Sequence, residues 1–406
     1  VELIAHKRGL NLNDVQEINR GLVIWLLRRK RVCSRAEIAK SSGLKQATIT
    51  NIINDFINWG IVRETGIIEG RKGRRSIGIT LDTDHYRVMG IRITRHFFAV
   101  GLFDLFGRQD VISHQQIDLT EGGPAVIGKL ITAVAAMLEQ ASDRKVLGIG
   151  VAIPGPYVRT EGKMSLMTEH PGWEGIAIDQ ELASAFELPV HLEHDAKAGA
   201  LAEWWFASRK FEQETMVYIA AGQGIGAGII INGKLIRGAL GIAGEVGHIS
   251  IAFDGPRCAC GNCGCLEHYC STIALARYAE EGIRDHPASA LARDRSFPRI
   301  VQALKAGDPF AHEIVSKAGR FLGLGLVSLI NAYNPHVIIV GDEMSQLGEV
   351  FLEVIRGTIE SHVLPTVYRS TSIELCPFEH DPVLVGVSTL TVDQILHTPL
   401  VPDELG

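Results

Sequence analysis

Five of the seven cysteines in this 406-residue chain fall between positions 258 and 270, in the run Cys258-Ala-Cys260-Gly-Asn-Cys263-Gly-Cys265-Leu-Glu267-His268-Tyr-Cys270. A short way upstream stands Gly244-Glu245-Val-Gly-His248. Thiols this dense in an otherwise cysteine-poor chain point to a metal site. Cys258, Cys260 and Cys265 supply three soft thiolates, a set that favours Zn2+ in a tetrahedral shell. Two residues can complete that shell, His248 or Cys263, and spacing alone does not separate them. Four protein ligands leave no open position, so the expected metal is structural.

The length leaves room for two or three domains with full hydrophobic cores. No apolar run approaches the ~20 residues that a membrane helix needs. The run 22–27 is short and leads into Arg28-Arg-Lys-Arg31, and the N-terminus lacks a signal-peptide pattern. A cytoplasmic location is expected, where thiols stay reduced and clustered cysteines bind metal more often than they pair. Charge is divided unevenly. Residues 1–81 carry 15 Lys and Arg against 7 Asp and Glu, and the remainder carries 25 against 39. A basic head on an acidic body suggests a nucleic-acid module joined to something else.

In the head, Ile18, Leu22, Trp25 and Leu26 recur at helical spacing over 14–31. Ser34-Arg-Ala-Glu37 is a capping box that opens a short helix over 35–41. A turn at Gly43 follows, then a second helix over about 45–59. Ala39 is small, Gly43 permits a left-handed turn and Ile49 packs inward, which are the steric requirements of a helix-turn-helix. The second helix is expected to present Lys45, Gln46, Thr48 and Asn51 to base edges. Strands at 61–65 and 76–80 bracket Arg71-Lys72-Gly-Arg74-Arg75, a cationic wing suited to phosphates or the minor groove. Residues 1–82 thus read as a winged helix-turn-helix DNA-binding domain.

From residue 85 short apolar strands alternate with helices, the texture of an α/β fold. Strands are expected at 88–93, 98–103 and 115–119, then a helix over 125–141 and a strand over 146–153. A second strand pair, 216–221 and 228–231, flanks the glycine-rich segment 222–228. Two strand sets, each followed by helices, suggest two related lobes with a cleft between them. We divide them as 83–195, completed by a C-terminal helix over 383–406, and 196–382, which holds the cysteine loop and an oligomerisation surface.

Several motifs then occur in a fixed order: Pro154-Gly155-Pro156, Glu193-His194-Asp195-Ala196, the 222–228 segment, Gly241-Ile-Ala-Gly-Glu245-Val-Gly-His248, and the cysteine run through Glu267. Together they resemble the ROK family of bacterial sugar kinases and sugar-responsive repressors, over about residues 86–398. With the winged head, the whole chain is similar to the repressor branch of Mlc, NagC and xylose-repressor type. The resemblance implies a two-lobed sugar-kinase/actin-like body. It favours His248 as the fourth Zn2+ ligand beside Cys258, Cys260 and Cys265. It places Asp195 where the kinases have their general base, and Glu245, His248 and Glu267 where sugar hydroxyls bind. His194 stands where kinases usually have Asn. Glu169, before His170-Pro-Gly-Trp173, stands where many kinases have another sugar-binding Asn.

The nucleotide side departs from the kinase pattern. A first phosphate loop of the form Gly-Ile-Asp-Ile-Gly-Gly-Thr-Lys is replaced by Gly90-Ile-Arg92-Ile-Thr94-Arg95-His96-Phe97. Without glycine the backbone cannot wrap closely around phosphate, and Arg92 removes an anionic partner for Mg2+. Gly222-Gln223-Gly224 loses the hydroxyl of Gly-Thr-Gly, and Val340-Gly341-Asp342 replaces a Gly-Gly pair. The expectation is a transcriptional repressor of sugar uptake or metabolism genes with no catalysis, Asp195 being a vestigial base. Its partners would be double-stranded operator DNA, a sugar or sugar-phosphate effector, a second copy in a homodimer or homotetramer, and in some family members a sugar-transporter (phosphotransferase system) subunit. The competing expectation is an ATP-dependent sugar kinase with an accessory DNA-binding head.

Overall fold

Reciprocal caps set the first two helices. The computed structural model describes residues 11–69, 75–118, 120–155, 157–158, 163–164, 173, 176–206, 214–377 and 381–397. Helix α1 (Leu12–Lys30) starts where the Asn11 amide donates to Asp14 and the Asp14 amide donates back, each at 2.9 Å. Helix α2 (Arg35–Ser42) starts at Ser34, whose amide donates to Glu37 Oε2 at 2.9 Å while the Glu37 amide donates to Ser34 Oγ at 3.2 Å. Gly43, at φ 73°, ends it in the left-handed region. Helix α3 (Gln46–Asn58) then buries Ile49, Ile52, Ile53 and Phe56 on one face. Strands β1 (Cys33–Ser34), β2 (Val62–Glu69) and β3 (Arg75–Leu81) form a sheet in the order β1-β3-β2. Of the expected wing, Arg71, Lys72 and Arg74 lie outside the described residues, and Arg75 is exposed at the start of β3.

The body contains two five-stranded sheets of the same plan. In the first, β4 (Tyr86–Ile93), β5 (Phe97–Phe103) and β6 (Gln109–Gln116) run antiparallel; β7 (Lys145–Ile153) and β10 (Val190–His194) extend the sheet in parallel beyond β4. Helix α4 (Gly123–Gln140) precedes β7, a small β8 (Tyr157–Val158) and β9 (Lys163–Met164) hairpin follows it, and α5 (Ile178–Phe186) leads to β10. In the second sheet β11 (Thr215–Ala221), β12 (Ile225–Ile231) and β13 (Lys234–Leu235) are antiparallel, and β14 (Val337–Gly341) and β15 (Ser372–Leu375) extend it in parallel beyond β11. Each sheet has its strands in the spatial order third, second, first, fourth, fifth.

The expected third strand at 115–119 forms earlier, over Gln109–Gln116. Asp104 Oδ1 accepts from the amides of Phe106 and Arg108, each at 2.8 Å, and turns the chain back before the apolar residues resume. The strand lies at the sheet edge and stays largely exposed, so it lacks the alternation that marks a half-buried strand.

Helix α6 (Asp195–Phe206) follows β10. Beyond β12 come α7 (Glu267–Cys270), α8 (Thr272–Gly282), α9 (Phe297–Lys305), α10 (Pro309–Tyr333), α11 (Glu349–Glu360) and α12 (Pro365–Ser370). The chain then returns: α13 (Pro382–His397) packs against α6 and against β4 and β7 of the first sheet. The second sheet and α8 to α11 share one core that includes Ile219, Leu275, Leu322 and Phe351. Another core runs from Val23, Leu27 and Phe56 of the head to Leu384 and Leu396 of α13, so the head packs directly on the first lobe. No described helix is long and apolar enough to cross a membrane.

Candidate functional site

The cleft between the lobes is built where strands end. Strand β10 closes at His194 and α6 opens at Asp195, so both side chains lie at a strand-to-helix corner. The Ala196 amide donates to His194 Nδ1 at 3.2 Å. The same amide donates to Asp195 Oδ1 at 2.6 Å, so it is shared between the two side chains. Nε2 stands 3.6 Å from Glu245 Oε1, and Asp195 Oδ1 lies 3.3 Å from Nδ1. A β-carbon on Gly155 would sit 2.3 Å from His194 Nε2 and 2.7 Å from Glu245 Oε1, so only glycine lets the Pro154-Gly155 segment pass this close.

Glu245 enters the cleft from the turn before Val246–His248. Lys197, buried two residues beyond Asp195 in α6, donates to the Gly241 carbonyl and holds the start of that segment. Burial lowers the Lys197 pKa, while Glu193 and Glu245 act in the opposite direction. Arg237 bonds Glu193 Oε2 at 2.9 Å and ties the same segment to β10. Lys197 was not among the expected site residues. Its one signal is being the single cation in the alanine-rich stretch Asp195-Ala-Lys-Ala-Gly-Ala.

His248 faces two ways. Its Nδ1 is 3.7 Å from Cys258 Sγ and 3.4 Å from Glu267 Oε1, and the ring also lines the cleft. Glu267 opens α7, and its Oε1 accepts from Cys258 Sγ at 3.4 Å. Around them the cysteine run folds into a tight loop. The Cys258 amide donates to Asn262 O and the Gly261 amide donates to Cys258 O. At Gly264, φ 64°, a β-carbon would lie 1.8 Å from the Ala252 carbonyl oxygen.

The donor set fits a tetrahedral ion. Ligand atoms of His248, Cys258, Cys260 and Cys265 all lie within 4.8 Å of one another. Cys260 and Cys265 sulfurs are 3.7 Å apart, and two sulfurs each ~2.3 Å from a tetrahedral centre would be ~3.8 Å apart. Cys263 is not in this group; it takes part in a backbone bridge with Arg257. Of the two candidates for the fourth position, His248 is therefore the one that converges with the other three thiols. Three thiolates and one imidazole are the chemistry of a closed Zn2+ site.

The opposite end of the cleft is occupied by the protein's own charges. Arg92, near the end of β4, directs Nη2 to both oxygens of Asp342 and Nη1 to Asp381 Oδ2, all at 2.8 Å. Burial opposes the Arg92 charge, but Asp342, Asp381 and Asp195 outweigh it and hold the guanidinium above its ordinary pKa. Asp342 follows β14 in a conformation of φ 63° and ψ −161°, which non-glycine residues avoid. The two departures expected to weaken a nucleotide site, at 92 and 342, are thus bonded to each other. Thr94, Arg95, Gln223 and Gly224 line the same cleft.

In the head, Lys45, Gln46 and Asn51 are exposed and Thr48 half-buried over the first two turns of α3, opposite the face that packs inward. Glu169 of the expected sugar site lies outside the described residues, and Trp173 nearby is buried.

A family model described as ROK matches residues 88–394. The chain is 30% identical over 392 residues to a xylose repressor of Caldicellulosiruptor bescii, covering 95% of this chain and 98% of that protein. It is 29% identical to the DNA-binding transcriptional dual regulator NagC of Escherichia coli, over 91% of each chain. Among solved structures, a ROK family transcriptional regulator described as a homologue of the E. coli MLC protein superposes with a TM-score of 0.80 at 28% identity, over 96% of this chain and 98% of that one. A ROK family glucokinase of Streptomyces griseus, solved with glucose and AMPPNP, has a TM-score of 0.67 at 28% identity and matches 75% of this chain.

Proposed function

Since the chain belongs to the ROK family and covers 98% of a xylose repressor and 91% of NagC, we propose that it is a sugar-responsive transcriptional repressor. In this reading residues 1–82 bind operator DNA. Residues 83–195 with 383–406 form lobe I, and 196–382 form lobe II with the metal loop and an oligomerisation surface. The observation that carries it is the contrast within the cleft. The side chains of Asp195, Glu245, His248 and Glu267 stay partly exposed to the cleft at one end, while Arg92 bonds Asp342 and Asp381 at the other. A sugar kinase needs that second end for phosphate.

Asp195, His194, Glu245 and Glu267 are the sugar contacts in this reading, since carboxylates accept from hydroxyls and an imidazole can exchange a hydrogen bond with one. His248 serves both sugar and metal. Zn2+ held by His248, Cys258, Cys260 and Cys265 supplies a closed, non-catalytic cross-link. The loop it braces presents Glu267 and His248 to the cleft. Lys45, Gln46, Thr48 and Asn51 read base edges, and Arg71, Lys72, Arg74 and Arg75 contact phosphates. A two-fold operator requires at least a homodimer, with a homotetramer as the larger possibility.

The test is a selection of duplexes from random DNA by the full chain, followed by gel-shift of the best duplex with and without a panel of pentoses, hexoses and their phosphates. The expected result is one specific site whose binding weakens about tenfold or more with one sugar, a coupling of ~1.4 kcal/mol. Sugar phosphorylation from ATP at ~1–100 s⁻¹ in a coupled assay would establish the kinase reading instead. DNA release by a membrane transporter subunit, with no sugar response, would make the effector a protein.

A further inference from the structure

We propose that Arg92 is a positioning residue that makes lobe II, helix α13 and the DNA-contacting head move as one body. The proposal rests on the repressor reading for its biological meaning, and on four joined contacts for its physics.

The first contact is the ion-pair group. Arg92 belongs to β4, Asp342 to lobe II and Asp381 to the residue before α13, and a single guanidinium holds all three segments at 2.8 Å. Arg237 with Glu193 also crosses between the lobes. The second is the cap. The other Asp381 oxygen, Oδ1, accepts from the Val383 amide at 2.9 Å. One carboxylate therefore starts α13 and binds Arg92, so displacing Arg92 loosens the first turn of the helix.

The third contact joins α13 to α6. A β-carbon on Gly386 would lie 1.7 Å from the Ala198 carbonyl oxygen, so the two helices touch backbone to backbone. They form one rigid pair, with Asp195 of the sugar end and Asp381 of the ion-pair group at the same end of it. The fourth contact lies at the far end of that pair, ~12 Å along α13 from Asp381. There Arg28 of α1 donates Nη1 to the Thr389 carbonyl at 3.3 Å and stacks 4.6 Å from the Trp205 ring and 5.8 Å from Phe206. Trp25 of α1 meets Trp205 edge-on at 6.5 Å. Arg28 is 2% exposed and only Nη1 has a hydrogen-bond partner, so packing on Trp205 and Phe206 does most to couple α1 to the pair.

Closure of lobe II over a ligand moves Asp342. Through Arg92 that displacement passes to α13, and through Arg28 to the helix on which α2 and α3 rest. An effector can change DNA affinity only if it prefers one of two arrangements, and in this proposal the linkage carries that preference from the cleft to the head.

The test uses hydrogen exchange of the full chain, which needs neither operator nor effector. R92M is compared with wild type and with R92K. The expected result is exchange at least about tenfold faster over residues 20–30 of α1, unchanged exchange in α10, and recovery to within about threefold in R92K. Two results overturn the proposal: change confined to β4 and the Asp342 turn, or equal acceleration in α10, which marks a merely structural role. If R92M leaves its two buried carboxylates too poorly compensated to fold, R92M/D342N/D381N removes all three charges and carries the same test. With the selected duplex and its sugar in hand, R92M should cut the sugar's effect on DNA affinity from about tenfold to below about twofold while sugar affinity stays within about threefold. A wild-type chain that ignores every sugar overturns the repressor reading, while hydrogen exchange still decides the role of Arg92.

Discussion

The two ends of the cleft use similar residues in opposite ways. At one end the side chains of Asp195, Glu245, His248 and Glu267 are 20–26% exposed and turned toward open space. At the other, Asp342 and Arg92 are each 9% exposed and spend their charges on each other and on Asp381. A charged group with unmet hydrogen-bonding capacity at a cleft is ready for a ligand. A charged group met by its own chain is ready to hold a shape. A fold shared with a sugar kinase can therefore keep recognition and convert its chemical end into a joint, with few changes to the backbone.

The largest effect separating the two ends should come from the metal. Elemental analysis is expected to find about one zinc per chain, and C260S or chelation should reduce sugar affinity by about a hundredfold or more, since a structural zinc site supplies the folding energy of its own loop. The closed end has no such dependence, so the Arg92 bonds and the head should survive; protection of α1 in hydrogen exchange reports this. Sugar binding that persists after complete zinc removal would detach the metal from the pocket.

Helix α6 carries the same contrast along its own length, since Asp195 opens it at the cleft and Glu203 is sealed two turns later. Burial raises the Glu203 carboxyl from its ordinary 4.5 to about 7, against a lowering bond from Cys376. The folded state thus holds a proton that the unfolded chain releases near 4.5. The cost of Glu203 is absent below that value, grows as pH rises toward 7 and is complete above it. Between pH 5 and 8 the wild type should lose a few kcal/mol, ~3 at most, relative to E203Q in urea unfolding. Parallel curves for the two proteins would mean that Glu203 finds a partner when charged.

At the open end, E245Q and D195N should each weaken sugar binding by about tenfold, ~1.4 kcal/mol, as expected for one hydrogen bond to a charged acceptor. E245Q should leave operator affinity without sugar unchanged, since Glu245 makes no bond to Arg92, whereas D195N also removes a charge that supports Arg92 and should change it only slightly, by less than about threefold. Calorimetry and gel-shift measure the two quantities separately. A loss of DNA binding in D195N would show that the open end also supports the head, and the division between the ends would be less sharp than drawn here.

Much of this was legible in the chain, because local rules suffice for it. Ser34 with Glu37, Gly43 and the apolar face of α3 follow from capping and helical period, and the strands that begin each sheet are apolar runs. The thiol run announced a metal loop but left His248 and Cys263 equal. The choice depends on the turn through Asn262, which aims residue 263 into a bridge with Arg257 while the Val246–His248 turn brings an imidazole from outside the run. Edge strand β6 is not legible at Gln109–Gln116, because polar edge residues carry no period. Arg92 was legible as the loss of an anionic partner for Mg2+, and Asp342 as the loss of a Gly-Gly pair expected beside the adenosine. Their bond was not, since 250 residues of sequence separate them and only the return of the second sheet against the first brings them together.

The smallest expected effect is a null, and it tests the closed end directly. A nucleotide triphosphate needs free positive charge and close backbone approach for its phosphates. Here the Arg92 guanidinium is already balanced by Asp342 and Asp381, and Thr94 and Arg95 carry side chains where a phosphate-wrapping loop has glycine. Magnesium ATP at about 2 mM should therefore leave the melting temperature of the full chain within about 1 °C, because a ligand at or below its Kd stabilises by less than ~0.4 kcal/mol. The cognate sugar at about a hundredfold its Kd should add ~2.7 kcal/mol, several degrees in a protein of this size. An ATP shift of comparable size would mean that the Arg92 bonds yield to phosphate. The closed end would then be a second ligand site, and the contrast between the two ends would be one of affinity rather than of kind.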